Sequence, residues 1–366
     1  MKLLILSDAS SSHTIKWANS LCQAGIEVHL FTLSDFDAKQ FDSKIRIYSS
    51  GLSKKIKGNS FGNPRKVIYL FSIIKLKRLI KEIKPDILHA HYTSSYGLLG
   101  VLCGFHPLFI SVWGSDVTDF PEVFVLYKYI LKFIFNKADK IYSTSNWLAK
   151  HCTKFTSRNI TIIPFGVDTN IFKKLSAIES IRSDKLVIGT VKVIDKNYGI
   201  EYLLKAFNII KSKFPNYPME LMIVGDGAKR LEMEKLAENL DIAGDCKFIG
   251  HIPYSEIQKY HNQIDIEVFP SVNESFGVAV LEASACENPV VVTNVGGLTE
   301  VVDNNNTGYI VPAENEIEIA KAIEKLVLNA PLRKKMGIAG RDLVVKFFNW
   351  DESVNRMISE YKKVGK

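Results

Sequence analysis

Apolar runs of strand length alternate with helix-like segments through most of the 366 residues, and the alternation breaks off near residue 170 and starts again. The first round opens with KLLILSD, a helix-like HTIKWANSLCQAG that stops at Gly25, and EVHLFTLSD; strand, helix and strand within about 30 residues make a parallel βαβ unit. It continues through a helix near Tyr69 to Lys84 and strands at DILHAHY, LFISVWGSD and KIYSTSN, and closes on the Pro/Gly turn of IIPFGVDTNIF. A polar, charge-mixed stretch from Lys173 to Lys185 follows. The second round holds LVIGTVKV, a helix at Gly199 to Lys213, ELMIVGDG, KFIGHI, IEVFPS, PVVVTNVGG and GYIVP. The expected fold is α/β, two consecutive doubly wound, Rossmann-like domains facing one another. Such sheets bind ligands beyond the carboxyl ends of their strands, so the active site is expected in the cleft between the domains. The closing FNWDESVNRMISEYKKV is amphipathic, with an Asp near its start that suits an N-terminal cap.

The totals narrow the function classes. No run of 18 apolar residues occurs, and MKLLILSDASSS turns polar too early for a signal peptide or a span, so a cytoplasmic protein is expected. The five cysteines are odd in number and scattered, which argues for reduced thiols and against a disulfide framework or a zinc site. Residues 1–170 hold 22 Lys and Arg against 12 Asp and Glu, and the remainder 25 against 27, so the formal charge of +8 belongs to the first half. A basic half faces nucleic acid, an anionic membrane or a phosphorylated substrate. Nucleic acid is not expected, because no recognition-helix, RNP or zinc-finger pattern accompanies the charge. The absence of GxGxxG counts against a dinucleotide dehydrogenase.

Chemistry concentrates in NESFGVAVLEASA, where Glu274 precedes an apolar run and Glu282 lies eight positions later inside it. The segment reads as a loop and a helix that starts near Ser275 or Phe276. The first amides of a helix lack intrahelical partners and suit an anion such as phosphate. Glu282 lies about six residues into the helix, roughly 9 Å along its axis. Two carboxylates thus straddle one anion site. Glycosidase pairs sit across a single bond at about 5 to 9.5 Å, whereas a separation fixed along a helix suits a longer ligand of sugar, diphosphate and ribose. Carboxylates accept strongly from hydroxyls, so Glu274 is expected to take sugar hydroxyls and Glu282 the ribose diol. On these residues alone, a solvated Glu282 and an ordinary helix-start carboxylate at Glu274 remain the alternative.

The longer FPSVNESFGVAVLEASACENPVVVTNVGGLTEVVDNNNTGYIVP closely resembles the signature of the retaining GT-B glycosyltransferases of family 4, in which a Glu, seven residues and a second Glu bind a nucleotide-sugar donor. IIPFGVDTNIF, LVIGTVKVIDKNYGIEYLLKAF, LMIVGDGAKR and KFIGHIPYSEI resemble further landmarks of that family in order. FNWDESVNRMISEY resembles its closing helix, which returns to the N-terminal domain. The resemblance covers most of the chain and is looser in the first half. It implies an acceptor-binding domain at 1–170, a donor-binding domain at 171–347 and a returning helix at 348–366. It also implies transfer of a sugar from a nucleotide-diphosphate sugar to a hydroxyl acceptor with retention. With no enzymic nucleophile evident, front-side displacement assisted by the departing phosphate is expected.

The departing group is then a nucleoside diphosphate, and catalysis is chiefly stabilisation of its developing charge. The family's basic pair falls on Lys192 and on Lys196, or on Asn197 beside it; a Lys where the family usually shows an Arg offers a point charge in place of a fork. Solvated loop charges are the alternative for both lysines. Ser275 and the amides of Phe276, Gly277 and Val278 complete the anion site, and backbone groups of Gly250, His251 and Ile252 cradle the base. In ILHAHYTSSYG, His89 and His91 fall on one side of an extended segment. His91 matches the family position that contacts donor sugar and acceptor and joins Lys192 and Glu274 as catalytic; His89 is expected to be structural. Ser11 and Ser12 of SDASSSHTIKW border the cleft where many relatives carry a glycine pair, and His13 lines it or packs as a buried ring. VWGSD resembles the family's cleft loop, with Trp113 where a histidine is common. Asp116 binds an acceptor hydroxyl there or caps the following turn. Asp226 in VGDG is expected to be a turn residue.

Asp35 and Asp37 of SDFD are similar to the metal-binding DxD of the other glycosyltransferase fold, yet they precede an irregular polar stretch and read as a solvated loop. With lysines and a helix terminus to neutralise the diphosphate, no metal and no cofactor is expected. PEVFVLYKYILKFIFNKADK is apolar over much of its circumference, with Lys128 and Lys132 one turn apart and Lys137 beyond. It is a core-facing helix or, with Lys54, Lys55 and Lys57, an interfacial one on the inner face of the cell membrane. The second reading goes with a lipid-linked or polysaccharide intermediate of cell-surface glycan synthesis as acceptor. The rival functions are a sugar-nucleotide epimerase of the same bilobed fold, whose extra carboxylates cannot be assigned, and a non-catalytic sugar-binding protein, which would normally need a secretion signal.

Overall fold

The computed structural model describes residues 1–51, 69–175 and 185–363. Lys54, Lys55 and Lys57 lie outside the described residues. The chain forms two units, one of Met1–Pro164 with Ser353 to the chain end, the other of Phe165–Glu352. These limits differ by a few residues from the 171 and 348 read from the sequence.

The first unit holds a seven-stranded sheet of β1 (Lys2–Leu6), β2 (Glu27–Thr32), β3 (Arg46–Ser49), β4 (Ile87–His91), β5 (Leu108–Val112), β6 (Lys140–Ser143) and β7 (Ile160–Ile162), all parallel, in the order β3-β2-β1-β4-β5-β6-β7. Every residue of β4 and β5 is buried. A parallel sheet carries helices on both faces, so its central strands are unbroken apolar runs with no polar side to alternate with. The helix Ser12–Gln23 covers the sheet through Thr14, Trp17, Ala18, Leu21 and Cys22, the spacing of a single helical stripe. β3 and β7 are short, half-buried edge strands, and neither shows an apolar run in the sequence.

In the second unit, β8 (Leu186–Val191), β9 (Met219–Val224), β10 (Cys246–Gly250), β11 (Ile266–Phe269), β12 (Val290–Thr293) and β13 (Gly308–Val311) form a parallel sheet in the order β10-β9-β8-β11-β12-β13. Strand order reverses between β1 and β4 in one sheet and between β8 and β11 in the other. Those are the switch points where adjoining loops diverge and leave a crevice. The loops leaving β8 and β11 carry Lys192 and Glu274.

The helix Val125–Lys137 buries only Leu131, Ile134 and Phe135 and exposes Val125, Leu126, Tyr129 and Phe133. It packs through one stripe and leaves a second apolar stripe uncovered. The closing helix Trp350–Lys362 is capped by Asn349, whose Oδ1 accepts from the Asp351 amide at 2.8 Å. The cap is thus Asn349 and not Asp351, which lies in the first turn with Glu352. Among the described residues, no helix is long and apolar enough to cross a membrane. All five cysteines are free.

Candidate active site

Lys192 follows β8 directly, and its amide donates to Val224 O at 2.9 Å. Gly225 (φ +140°) passes so close that a Cβ there would lie 2.0 Å from Lys192 O. Only glycine fits, which fixes the lysine's backbone against the end of β9. The loop then turns through Lys196–Tyr198, capped by Asp195. Asn197 O accepts from the amides of Val272 and Asn273 at 2.8 and 3.1 Å, tying this loop to the one that leads to Glu274. On the far side, Gly297 donates its amide to Glu274 O at 3.1 Å.

Held this way, Lys192 Nζ lies 2.5 Å from Glu274 Oε2 and 4.4 Å from the centroid of the Tyr198 ring. The lysine side chain is 17 % and the glutamate 14 % exposed, so the pair is more protected than a surface ion pair. Burial pulls the Lys192 ammonium down, but Glu274, Tyr198 and Glu282 together leave it above its ordinary value. It is a fixed positive charge. Lys196 is exposed on its turn, beside Asn197.

The helix after Glu274 runs from Val278 to Ala285 and starts two or three residues later than the sequence suggested, because Gly277 caps it at φ +100°. Val280 and Leu281 both donate to Gly277 O. Among the described residues, the amides of Gly277, Val278 and Ala279 make no backbone hydrogen bond. That is the anion-binding arrangement of a helix start. Phe276 is buried, with its ring beside those of Phe165 and Phe348.

Glu282 is 4 % exposed, which excludes the solvated alternative. Tyr254 donates its hydroxyl to Glu282 Oε1 at 2.8 Å, and His261 Nε2 stands 3.8 Å from Oε2. Sequence reading missed this surround, together with Tyr198 and the Gly296–Gly297 turn. A signal was present: Glu267 interrupts the apolar run of β11, and a buried carboxylate requires a partner. It finds one in His261, at 2.7 Å.

Gly250 is buried at φ +87°, its carbonyl accepts from the Gly225 amide at 3.0 Å, His251 is exposed, and Ile252 packs half-buried against the cluster of Val187, Val191, Met222, Val224 and Ile264. Asp226 is a turn residue: its Oδ1 accepts from the Gly227 amide at 2.7 Å.

The first unit gathers rings at the carboxyl ends of β4 and β5. His89 shares hydrogen bonds with Tyr361 OH at 2.6 Å and Ser111 Oγ at 2.8 Å, the structural role expected. His91 is 2 % exposed, its ring 4.6 Å from that of His89 and 4.8 Å from Trp113. Burial lowers its pKa to about 3, so the ring is neutral. His13 meets Trp113 edge-on at 5.8 Å, and of the adjoining serines Ser11 is half-buried and Ser12 exposed. The loop after β1 is drawn together by Asp8, whose Oδ1 accepts from Ser10 Oγ and Ser34 Oγ, each at 2.7 Å. Asp116 is fully buried and accepts from the amides of Thr93, Gly114 and Trp113 at 2.7, 2.8 and 3.2 Å. It braces the loop from inside, tying Trp113 and Gly114 to Thr93, and makes no side-chain cap on the short helix Ser115–Thr118 that follows. Asp37 caps the short turn Ala38–Gln40.

Residues 171–343 match the family model described as glycosyl transferases group 1, and residues 2–145 the one described as glycosyl transferase 4-like. The capsular polysaccharide biosynthesis glycosyltransferase CapM of Staphylococcus aureus is 30 % identical over 359 residues, covering 91 % of this chain and 90 % of CapM. Among solved structures, sucrose-phosphate synthase from Thermosynechococcus elongatus superposes with a TM-score of 0.83 at 20 % identity, over 100 % of this chain and 99 % of that one. Anabaena HepE in complex with UDP and glucose superposes at 0.81 and 18 % identity, over 99 % of both chains. Two parallel-sheet domains, both family models and a full-length relative converge: the chain belongs to the GT-B glycosyltransferases of the family 4 type.

Proposed function

We propose that the protein transfers a hexosyl group from a nucleoside-diphosphate sugar to a hydroxyl acceptor, with retention of configuration. The observation that supports this best is the pairing of Lys192 with Glu274 at 2.5 Å beside the start of the helix Val278–Ala285. Lys192 and the helix-start amides suit the diphosphate, whose arrival gives the lysine a second anion and frees Glu274 for the sugar hydroxyls. Glu282 takes the ribose diol, and Gly250, His251 and Ile252 border the base. The bond from the anomeric carbon to the diphosphate breaks with its electrons passing to the phosphate oxygen. That oxygen takes the acceptor's proton as the new glycosidic bond forms on the same face. His91, His13 and Trp113 border the acceptor. No step in this scheme calls for a metal.

HepE's complex with UDP and glucose is consistent with such a donor. CapM's part in capsular polysaccharide synthesis favours a lipid-linked or polysaccharide acceptor, as does the uncovered apolar stripe of Val125, Leu126, Tyr129 and Phe133 beside Lys128 and Lys132. An interfacial helix of that make-up brings a cytoplasmic enzyme to the inner face of the membrane. Two measurements test the proposal. A nucleotide-sugar panel read by melting temperature and by transfer should single out one donor whose product keeps the donor's anomeric configuration; an inverted product or a trapped glycosyl-enzyme refutes the mechanism. Sedimentation with anionic vesicles should be strong at low salt and weaker at high salt, and no binding at either removes the membrane.

A further inference from the structure

The transfer scheme gives no part to a buried histidine of the second unit. His261 lies in the last turn of the helix Tyr254–Gln263 and is wholly buried. Its Nδ1 is 2.7 Å from Glu267 Oε1, and its Nε2 faces Glu282 Oε2 at 3.8 Å. Glu267, also wholly buried, takes a second hydrogen bond from Asn288 Nδ2 at 2.7 Å. Among the described residues, His261 Nε2 has no hydrogen-bond partner. A neutral ring protonated on Nδ1 would aim a bare lone pair at a carboxylate oxygen, leaving two buried acceptors without a donor between them. A ring protonated on both nitrogens instead places one positive charge between two negative ones.

Resting on the assignment of Glu282 to the ribose diol, we infer that His261 is a positioning residue of the donor site: as an imidazolium braced by Glu267, it fixes the Glu282 carboxylate against Tyr254 and so sets how that carboxylate meets the ribose. Burial pulls the ring down, but Glu267 and then Glu282 raise its pKa to about 9. The groups around the ring supply what this requires. Tyr254 donates to Glu282 from the ring's own helix, and the Phe172 ring closes another side at 5.9 Å. The Cys286 thiol, pushed up by burial and by both carboxylates, stays neutral there. Arg341 spends its guanidinium on Phe172 O and Ala285 O. The 3.8 Å gap closes to a hydrogen bond when the diol draws Glu282 into place, as catalytic contacts commonly tighten on ligand binding.

The test measures binding of UDP, GDP and ADP and of their dideoxy counterparts by calorimetry, in wild type and His261→Gln. The preferred nucleotide should bind wild type about 10- to 100-fold tighter than its dideoxy form, the worth of a charge-assisted hydrogen bond. In the variant that ratio should fall below about threefold while dideoxy binding is unchanged, since only the ribose contact is touched. A wild type that binds none of the three, or binds both forms alike, overturns the assignment of Glu282 itself. A variant that discriminates as well as wild type overturns the role of His261 alone. Nitrogen NMR of the wild-type imidazoles covers a variant that does not fold: both His261 nitrogens should carry protons at neutral pH, and one bare nitrogen refutes the inference.

Discussion

In the proposed mechanism Lys192 serves two states. Without donor its charge is neutralised by Glu274 at 2.5 Å and shared with the face of Tyr198. Both side chains are mostly buried, so removing either leaves a protected charge without its partner, a change that costs several-fold more than breaking a surface pair. Lys192→Ala should therefore lower the melting temperature, and it should also lower kcat by about 100-fold or more, the usual loss when one stabiliser of developing charge is removed. Lys192→Met keeps the apolar packing and should lose the same turnover. Steady-state kinetics on both variants check this, and a kcat within threefold of wild type in either would remove Lys192 from the chemistry. The lysine and both glutamates were legible because spacing and family pattern point at them. Tyr198 and His261 were not, since an aromatic in a loop and a histidine on an amphipathic helix look the same whether or not a carboxylate faces them.

At the scale of elements, the site depends on loops pressed together more tightly than side chains allow. Gly296 (φ +54°) lies so near the preceding loop that a Cβ would stand 1.7 Å from Glu274 O. Gly296→Ala cannot be absorbed by a rotamer change, because the obstacle is backbone. It should displace Glu274 from Lys192 and destabilise the second unit by about 2 kcal/mol or more, combining the left-handed penalty with the clash. Gly244→Ala, where a Cβ would meet nothing within 4 Å, should be neutral or slightly stabilising. Urea midpoints of the two variants check the contrast, and equal midpoints would contradict it. The central strands were readable in the sequence because their burial on both faces writes an unbroken apolar run. β3 and β7 were not, because edge strands are decided by neighbours distant in sequence, and the late helix start at Val278 and the Asn349 cap were not, because each turns on one local backbone angle or hydrogen bond that several neighbouring residues could equally supply. The NVGG glycines mark such a close approach, but nothing in the sequence says which backbone approaches.

The whole molecule carries buried histidines of opposite character, and this gives its two units opposite responses to pH. In the first unit, burial holds His91 at about 3 and His89 well below its ordinary value. Folded, these rings refuse protons that the unfolded chain accepts near pH 6.5, so their contribution is present above about 6.5 and is lost as pH falls. In the second unit His261 sits at about 9, above its unfolded value. Its contribution is complete below about 6.5 and is lost as pH rises through 9, amounting to something on the order of 3 kcal/mol. Hydrogen exchange reads each unit separately. Protection of β4 and β5 should fall on acidification from neutral, while that of β8 and β11 should fall on going from neutral to about pH 9. Comparing wild type with His261→Gln at each pH cancels the remaining charge background and leaves the alkaline limb of the second unit as the difference. If that difference does not shrink as pH rises, the ring between Glu267 and Glu282 is neutral in the folded protein, and Glu282 is held by Tyr254 alone.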